Sequence, residues 1–331
     1  FQKRYMVGLP TATTRRFLHE VFHEQLGRFY RAGARERVSL LKHYRFDPAM
    51  APRVAEKVKE VLGKDPKGEV LALPGGLKTP NPVLFYSRDL PDCLGPAEAG
   101  SAVLSYVHGD LNGANIVIDG HDNVWLIDFF HTDRGHVLKD LLKLENDLLY
   151  IFTKVGSDAV LAEAARITDA LLEVEDLAAP LPSAKSVGLR SKELVRAWET
   201  LRLVRAHYPA VLAHDRDPLQ AFIGQLRYAA HTLSFDESDR RQKLWALYSV
   251  GRLGAAVRDR YRRVGPLRVD WIEDPKKSPG RLGLTLLPGR RDYGRVLSED
   301  VGALKAAGVT HVACLATPPE LHHYGVDGLL A

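Results

Sequence analysis

Three side chains near one another in the sequence carry oxygen donors of the kind that suits Mg²⁺. They are Asp110, Asn115 five residues on, and Asp128 thirteen residues beyond that. Asp110 and Asn115 lie in Val107-His108-Gly109-Asp110-Leu111-Asn112-Gly113-Ala114-Asn115-Ile116-Val117-Ile118, which is answered by Val124-Trp125-Leu126-Ile127-Asp128-Phe129. Carboxylate and amide oxygens are the hard donors that Mg²⁺ takes while leaving positions open for phosphate and water. The plainer alternative is a polar hairpin whose Asp and Asn residues only cap turns.

The elements that must position these groups are short strands. Val103, Leu104, Tyr106 and Val107 lead in, and Ile116-Val117-Ile118 and Val124-Trp125-Leu126-Ile127 are apolar, β-branched runs of strand length. Gly120, His121, Asp122 and Asn123 supply the turn between the last two. The pattern predicts strand, polar loop, strand, turn, strand, with the three oxygen donors close together at the hairpin ends.

Helices are expected on both sides. Before the loop, Phe17, Leu18, Val21, Phe22, Leu26, Phe29 and Tyr30 recur at helical spacing, with Thr13 or Thr14 as cap and Gly33 as stop. This aromatic stripe reads as core. Glu36 to Tyr44 continues as a second helix, and Pro52 opens a third that ends at Gly63. Val70-Leu71-Ala72-Leu73 and Val83-Leu84-Phe85-Tyr86 read as strands or extended pieces. After the loop, Val137 to Thr153 is apolar all round and predicts a largely buried helix. Four more helices follow, the second of them at Leu189–His207. Ser157, Pro218, and Ser238 or Asp239 open the others, and the last runs to about Arg262.

Bulk properties set limits. The chain has 331 residues and 45% apolar residues, enough for one large or two ordinary domains with a packed core. No run approaches the roughly 20 apolar residues of a membrane span, and no signal peptide is visible, so a cytoplasmic setting without a membrane partner is expected. Cys93 and Cys314 cannot make a disulfide framework or a cysteine-rich zinc site. Between Arg258 and Arg295 there are eleven Lys or Arg against five Asp or Glu, a surplus of six within a net charge of +5. Such a stretch attracts phosphate, acidic protein or nucleic acid, or is a solvated linker. No nucleic-acid motif accompanies it, and nucleic acid is not the expected partner.

His-Gly-Asp-x-x-x-x-Asn followed by Ile-Asp-Phe resembles the catalytic and metal loops of the protein-kinase-like fold. It is similar to the aminoglycoside and choline phosphotransferases rather than to protein kinases. The resemblance implies that Asp110 orients the attacking hydroxyl and accepts its proton, and that Asn115 and Asp128 hold Mg²⁺ on the phosphates of ATP. It gives His108 and Asp140 supporting roles, Asp140 as the acid that hydrogen-bonds the catalytic-loop backbone; a surface acid at a helix start is the alternative. His131 and His136, with Asp128, could also be read as a transition-metal site, but hydrogen bonding is the preferred reading. Position 130 is Phe, where protein kinases carry Gly. The run from Asp128 to Asp140 looks most like a bacterial kinase-like family, the ternary complex associated domain, as do Asp217-Pro218-Leu219-Gln220 and Arg227 to Asp236.

The nucleotide lobe of that fold needs a glycine-rich loop and a strand lysine, and residues 1–107 supply neither. Gly75-Gly76 sits in a Pro-flanked turn, and Val54-Ala55-Glu56-Lys57 falls inside a helix. The lobe is expected upstream of Phe1, or else to be degenerate. Gly265, Pro266, Pro275, Pro279 and Gly280 mark a linker. Beyond it, Leu282–Leu287 reads as a strand, Ser298 as the cap of a helix ended by Gly308, and Thr310–Leu315 as a second strand. Leu-Pro-Gly-Arg-Arg-Asp and Gly-Val-Thr-His-Val-x-Cys-Leu resemble the opening of the kinase-associated dual-specificity phosphatases. Arg290 and Arg291 could then face a phosphate site, or form a solvated turn. The Cys-x₅-Arg of such enzymes is missing: six residues after Cys314 stands Glu320, and six after Cys93 stands Ala99. Cys314 reads as a buried, inert thiol in a strand, and a nucleophile is expected only beyond Ala331.

The expected architecture is therefore α/β of the α+β kind. Residues 1–263 form a mostly helical C-terminal lobe of the kinase-like fold, 264–280 a linker, and 281–331 part of a phosphatase-like domain. The expected function is ATP- and Mg²⁺-dependent phosphoryl transfer to a hydroxyl on a small molecule or protein, in bacterial signalling. The alternative is a non-catalytic adaptor that docks signalling partners.

Overall fold

The computed structural model describes residues 1–94, 101–212, 215–264, 267–272, 280–293 and 295–330. Gly265, Pro266, Pro275 and Pro279, read above as linker marks, lie outside the described residues, as does Ala99. The described strands are β1 (Ala34–Arg37), β2 (Val70–Ala72), β3 (Lys78–Pro80), β4 (Ser101–Val107), β5 (Ile116–Ile118), β6 (Val124–Leu126), β7 (Asp133–His136), β8 (Val269–Ile272) and β9 (Leu282–Thr285). Small sheets among many helices make the fold α+β. The described residues form two compact units that divide between Val257 and Arg258.

In the first unit, β4 is the centre of a three-stranded antiparallel sheet, β1-β4-β7. Leu104 lies opposite His136 and Val107 opposite Asp133. On the other edge Arg35 lies opposite Val103. The strand β1 corrects the helix expected over Glu36 to Tyr44, of which only Leu40–His43 is helical, capped by Ser39. Residues 34–37 carry no large apolar side chain, so a helix there would bury nothing, whereas the edge of β4 offers unpaired backbone groups. Downstream, β5 and β6 form the expected hairpin, with Ile116 opposite Leu126 and Ile118 opposite Val124.

The core of this unit joins the aromatic stripe to the helix that follows the hairpin. Phe17, Leu18, Val21, Phe22 and Tyr30 pack in one cluster with Leu138, Leu141, Leu142 and Leu148. Burying each such side chain is worth roughly 1.5–3 kcal/mol relative to leaving it exposed. The helix Lys139–Tyr150 is accordingly buried on nearly every face. Helices Ala51–Leu62, Asp158–Leu172, Lys192–Arg205, Leu219–Thr232 and Arg240–Val264 complete the helical part. Gly63 closes the first of these at φ 74°. Asp239 and Gln242 cap the last reciprocally, each side chain accepting from the other's backbone N–H at 3.0 and 2.8 Å.

Val83–Tyr86 is not extended. Asn81 accepts from Val83 N–H and Pro82 stands in the first turn, so the segment starts helical and continues into a π-turn over Phe85–Asp89.

In the second unit β8 pairs antiparallel with β9, so the stretch read as linker contains a strand. A helix spans Leu297–Ala306, with Val296 rather than Ser298 at its N-cap, and Gly308 follows at φ 80°. Thr310–Leu315 does not form the expected strand. No partner strand faces it among the described residues, and Val312 and Leu315 are exposed. Cys314 is therefore half-buried and outside any strand, not sealed in an apolar one. A buried ion pair orders this unit: both guanidinium ends of Arg295 meet Asp300, which also accepts from Gly289 N–H at 2.8 Å. No described helix is long and apolar enough to cross a membrane.

Candidate functional site

At the end of β4 the chain turns sharply. His108 is buried, and Gly109 sits at φ 89°, where a Cβ would overlap the carbonyl of His131. Only glycine fits so close a crossing at that backbone angle. The loop carrying Asp110 and the loop carrying Asp128 therefore touch backbone to backbone.

Asp140, at the start of the buried helix, fixes this turn from beneath. Its Oδ2 accepts from His108 N–H at 2.8 Å and from the Tyr30 hydroxyl at 2.9 Å, while Oδ1 accepts from Gly109 N–H at 2.9 Å. Burial pushes its carboxyl up, and the backbone N–H groups of Gly109 and His108, with Tyr30, oppose that rise. It is no surface acid. Two turns on along the same face, Asp147 accepts from Gly113 N–H at 3.0 Å, and burial raises its carboxyl too.

His108 stitches the other loop in. Its Nε2 lies 2.8 Å from the Ile127 carbonyl, so that nitrogen carries the proton. Among the described residues its Nδ1 is buried without a partner, its ring packs 4.8 Å from that of Phe129, and its carbonyl accepts from Thr132 Oγ1 at 3.3 Å.

Asp110 itself is one-third exposed, open to a ligand. Asn112 Nδ2 donates to its Oδ2 at 3.2 Å, and Lys143 Nζ stands 3.9 Å from its Oδ1. Asn115 is buried; its Nδ2 donates to the Asp110 carbonyl at 2.9 Å, and among the described residues its Oδ1 accepts no hydrogen bond. Ile127 N–H donates to the Asn115 carbonyl at 3.1 Å, tying the start of β5 to the end of β6. Asp128 follows directly, exposed, at φ 64° and ψ 59°. Among the described residues its carboxylate has no hydrogen-bond or ion-pair partner. Asn115 and Asp128 thus present free oxygens of the hard type that suits Mg²⁺.

Lys143 was not singled out from the sequence. The signal was there: Asp140, Lys143 and Asp147 are three and four residues apart, hence on one face, in a helix otherwise almost wholly buried. Lys143 is only 12% exposed and also reaches Asp147 at 3.5 Å.

Two other candidates lie elsewhere. His136 cannot ligate a metal with Asp128, because its two ring nitrogens are engaged with the Tyr44 hydroxyl at 2.9 Å and Gln220 Oε1 at 3.1 Å. His131 is exposed and packs on Phe130. A three-residue group spaced to hold a metal among the described residues is exposed His19, His23 and Glu24, which the sequence reading passed over. In the second unit, Arg290 is stacked between the rings of Tyr293 and Tyr324 at 4.1 and 3.9 Å, and Arg291 packs against Gly325. Glu320 caps its own helix by accepting from Thr317 N–H at 2.7 Å, which holds its carboxyl below the usual range.

No curated protein matches the chain. The family described as ternary complex associated domain 9 matches residues 62–234, just over half of the sequence, and that span carries His108, Asp110, Asn115, Asp128, Asp140 and Lys143. The chain belongs to the ternary complex associated domain 9 family.

Proposed function

We propose that the Asp110 loop is a phosphotransfer site that passes a phosphoryl group from a Mg²⁺-bound nucleotide to a hydroxyl. The observation that carries this reading is the double amide clamp of Asp140 on His108 and Gly109, which fixes the Asp110 loop where it crosses the loop that carries Asp128 and leaves the Asp110 carboxylate open to a ligand. Asp110 orients the acceptor hydroxyl and takes up its proton. Lys143 steadies the Asp110 carboxylate from the helix side. Asn115 and Asp128 are the residues that would hold Mg²⁺, which when bound neutralises phosphate charge. His108 and Asp140 touch no substrate; they position the loop.

A docking module without catalysis is the competing reading. It is favoured by the first 94 residues, where the described strands are β1, which pairs with β4, and the two-stranded β2–β3 hairpin.

The deciding experiment uses the full-length protein. Asp110→Asn keeps the shape and removes the proton acceptor, so phosphoryl transfer should fall by about 10²- to 10⁴-fold with nucleotide affinity little changed. Asp128→Ala should abolish calorimetric binding of Mg²⁺-nucleotide while the fold persists. Unchanged nucleotide affinity in Asp128→Ala sinks the assignment, and full-rate transfer by Asp110→Asn removes its role as base.

A further inference from the structure

Near the Asp110 loop lies a cleft of about 100 Å³ between the segment 45–57, Tyr86 and the helix Leu219–Thr232. Its polar lining is cationic. Arg45, Arg53, Lys57 and Arg227 line it, and no acidic residue does. Lys57 is paired with Glu60, and Arg227 spends its Nε on the Tyr44 carbonyl. Among the described residues, Arg45 and Arg53 have no acidic partner. Phe46 and Tyr86 supply an apolar wall, and both are buried.

Arg45 adds a second observation. Its backbone lies at φ 58°, a region that residues other than glycine rarely adopt. Strained residues cluster at ligand clamps and persist where the surroundings enforce them. This position closes the turn onto Lys42, and Arg45 lines the cleft.

The cleft also communicates with Asp110. His231 lines it, and its ring stands 4.7 Å from that of Phe235. Lys143, 3.9 Å from Asp110, lies 5.4 Å from the same Phe235 ring. Burial first, then Arg227, Lys143 and Arg53, hold the His231 imidazole below its usual range, while Asp110 opposes them. The cations of the cleft and the carboxylate of the loop are thus felt at one histidine.

We infer that this cleft binds the phosphate group of an anionic small molecule, and that the acceptor for the Asp110 site is a phosphate-bearing hydroxyl compound. The second half rests on the proposed phosphotransfer function; the first does not. A phosphate dianion suits two uncompensated guanidinium groups better than a single carboxylate does, because each planar fork can meet two of its oxygens. The Phe46–Tyr86 wall would carry the carbon skeleton.

The test is calorimetric titration of the full-length protein with pyrophosphate, in EDTA and without nucleotide. Saturable binding is expected. Arg53→Ala should weaken it by about tenfold, as should Arg45→Gly, which removes the guanidinium while relaxing the backbone. Asp110→Asn and Asp128→Ala should leave it unchanged. In proton NMR the His231 ring should titrate at higher pH when pyrophosphate is present. Absence of saturable binding, or binding that both arginine variants retain undiminished, overturns the cleft assignment. Pyrophosphate binding of the expected pattern, with no phosphoryl transfer to any phosphomonoester tried, supports the cleft and overturns the phosphate-bearing acceptor, whereas the role of Asp110 falls only with full-rate transfer by Asp110→Asn.

Discussion

The helix Lys139–Tyr150 buries acids on two sides, and the two sides use them differently. Toward the loop, Asp140 and Asp147 accept the backbone N–H groups of His108, Gly109 and Gly113. Toward the neighbouring helices, Glu145 meets Arg205 through Nε at 2.6 Å and a second nitrogen at 3.0 Å, with the Tyr208 hydroxyl at 2.6 Å and Gln225 at 3.2 Å. Each carboxylate has been taken out of water and must be repaid in hydrogen bonds. Backbone amides are part of the chain whatever the sequence, so the loop side dictates where the main chain runs. A guanidinium is a side chain, so the helix side dictates only which helices pack. One element thus separates the geometry of the site from the cohesion of the fold.

The sharpest way to break this contrast is Arg205→Met. It leaves Glu145 charged and buried, which should destabilise the protein by about 3–5 kcal/mol in urea unfolding. Replacing Glu145 as well, in Arg205→Met/Glu145→Leu, should recover most of that loss. If the single variant unfolds at the wild-type midpoint, the ion pair does not hold the helices.

A second measurement adds a neutral buried group for comparison. Burial pushes His136, at the entry to the same helix, down to about 4. Its folded value thus lies below the unfolded one of about 6.5, so its contribution is complete above pH 6.5 and lost as pH falls from there to about 4. At about 1.4 kcal/mol per unit the loss can reach about 3 kcal/mol. Urea midpoints should therefore drop across that window in the wild type and drop less in His136→Gln. Equal slopes would mean that His136 does not titrate as its burial requires.

The smallest effect expected is that of Asp140→Asn, about 2 kcal/mol, since one acceptor of a buried charged set becomes a donor. Its signature is local. Amide exchange should quicken at His108 and Gly109 and stay unchanged at Gly113, and Asp147→Asn should do the reverse. Uniform quickening across all three amides would show that the helix holds the loop as a whole.

Much of this was legible in the sequence. The hairpin strands followed from β-branched runs, the buried helix from its all-round apolar pattern, and the placing of Asp110, Asn115 and Asp128 at strand ends from the runs that flank them. Residues 34–37, by contrast, carry no period of their own and become a strand only because β4 offers an edge. Strand β7, which pairs with the other edge of β4, is Asp-Arg-Gly-His and carries no strand signal either. The helix at Pro82 starts from Asn81 and Pro82, residues that the extended reading of Val83–Tyr86 left out of account. The cleft cations come from positions 45, 53 and 227, and only tertiary packing brings them together.

The crossing at Gly109 has a consequence for sequence drift. Any other residue there would bring a Cβ into the His131 carbonyl and accept φ 89° as well, two penalties from one codon change. Shifting the His131 backbone to make room would pull on Thr132 and Ile127, which hold His108. No single substitution at position 109 has a compensating neighbour within reach. A saturation library at this codon should return glycine alone among folded clones, while the exposed Phe130 next to the crossing tolerates most residues.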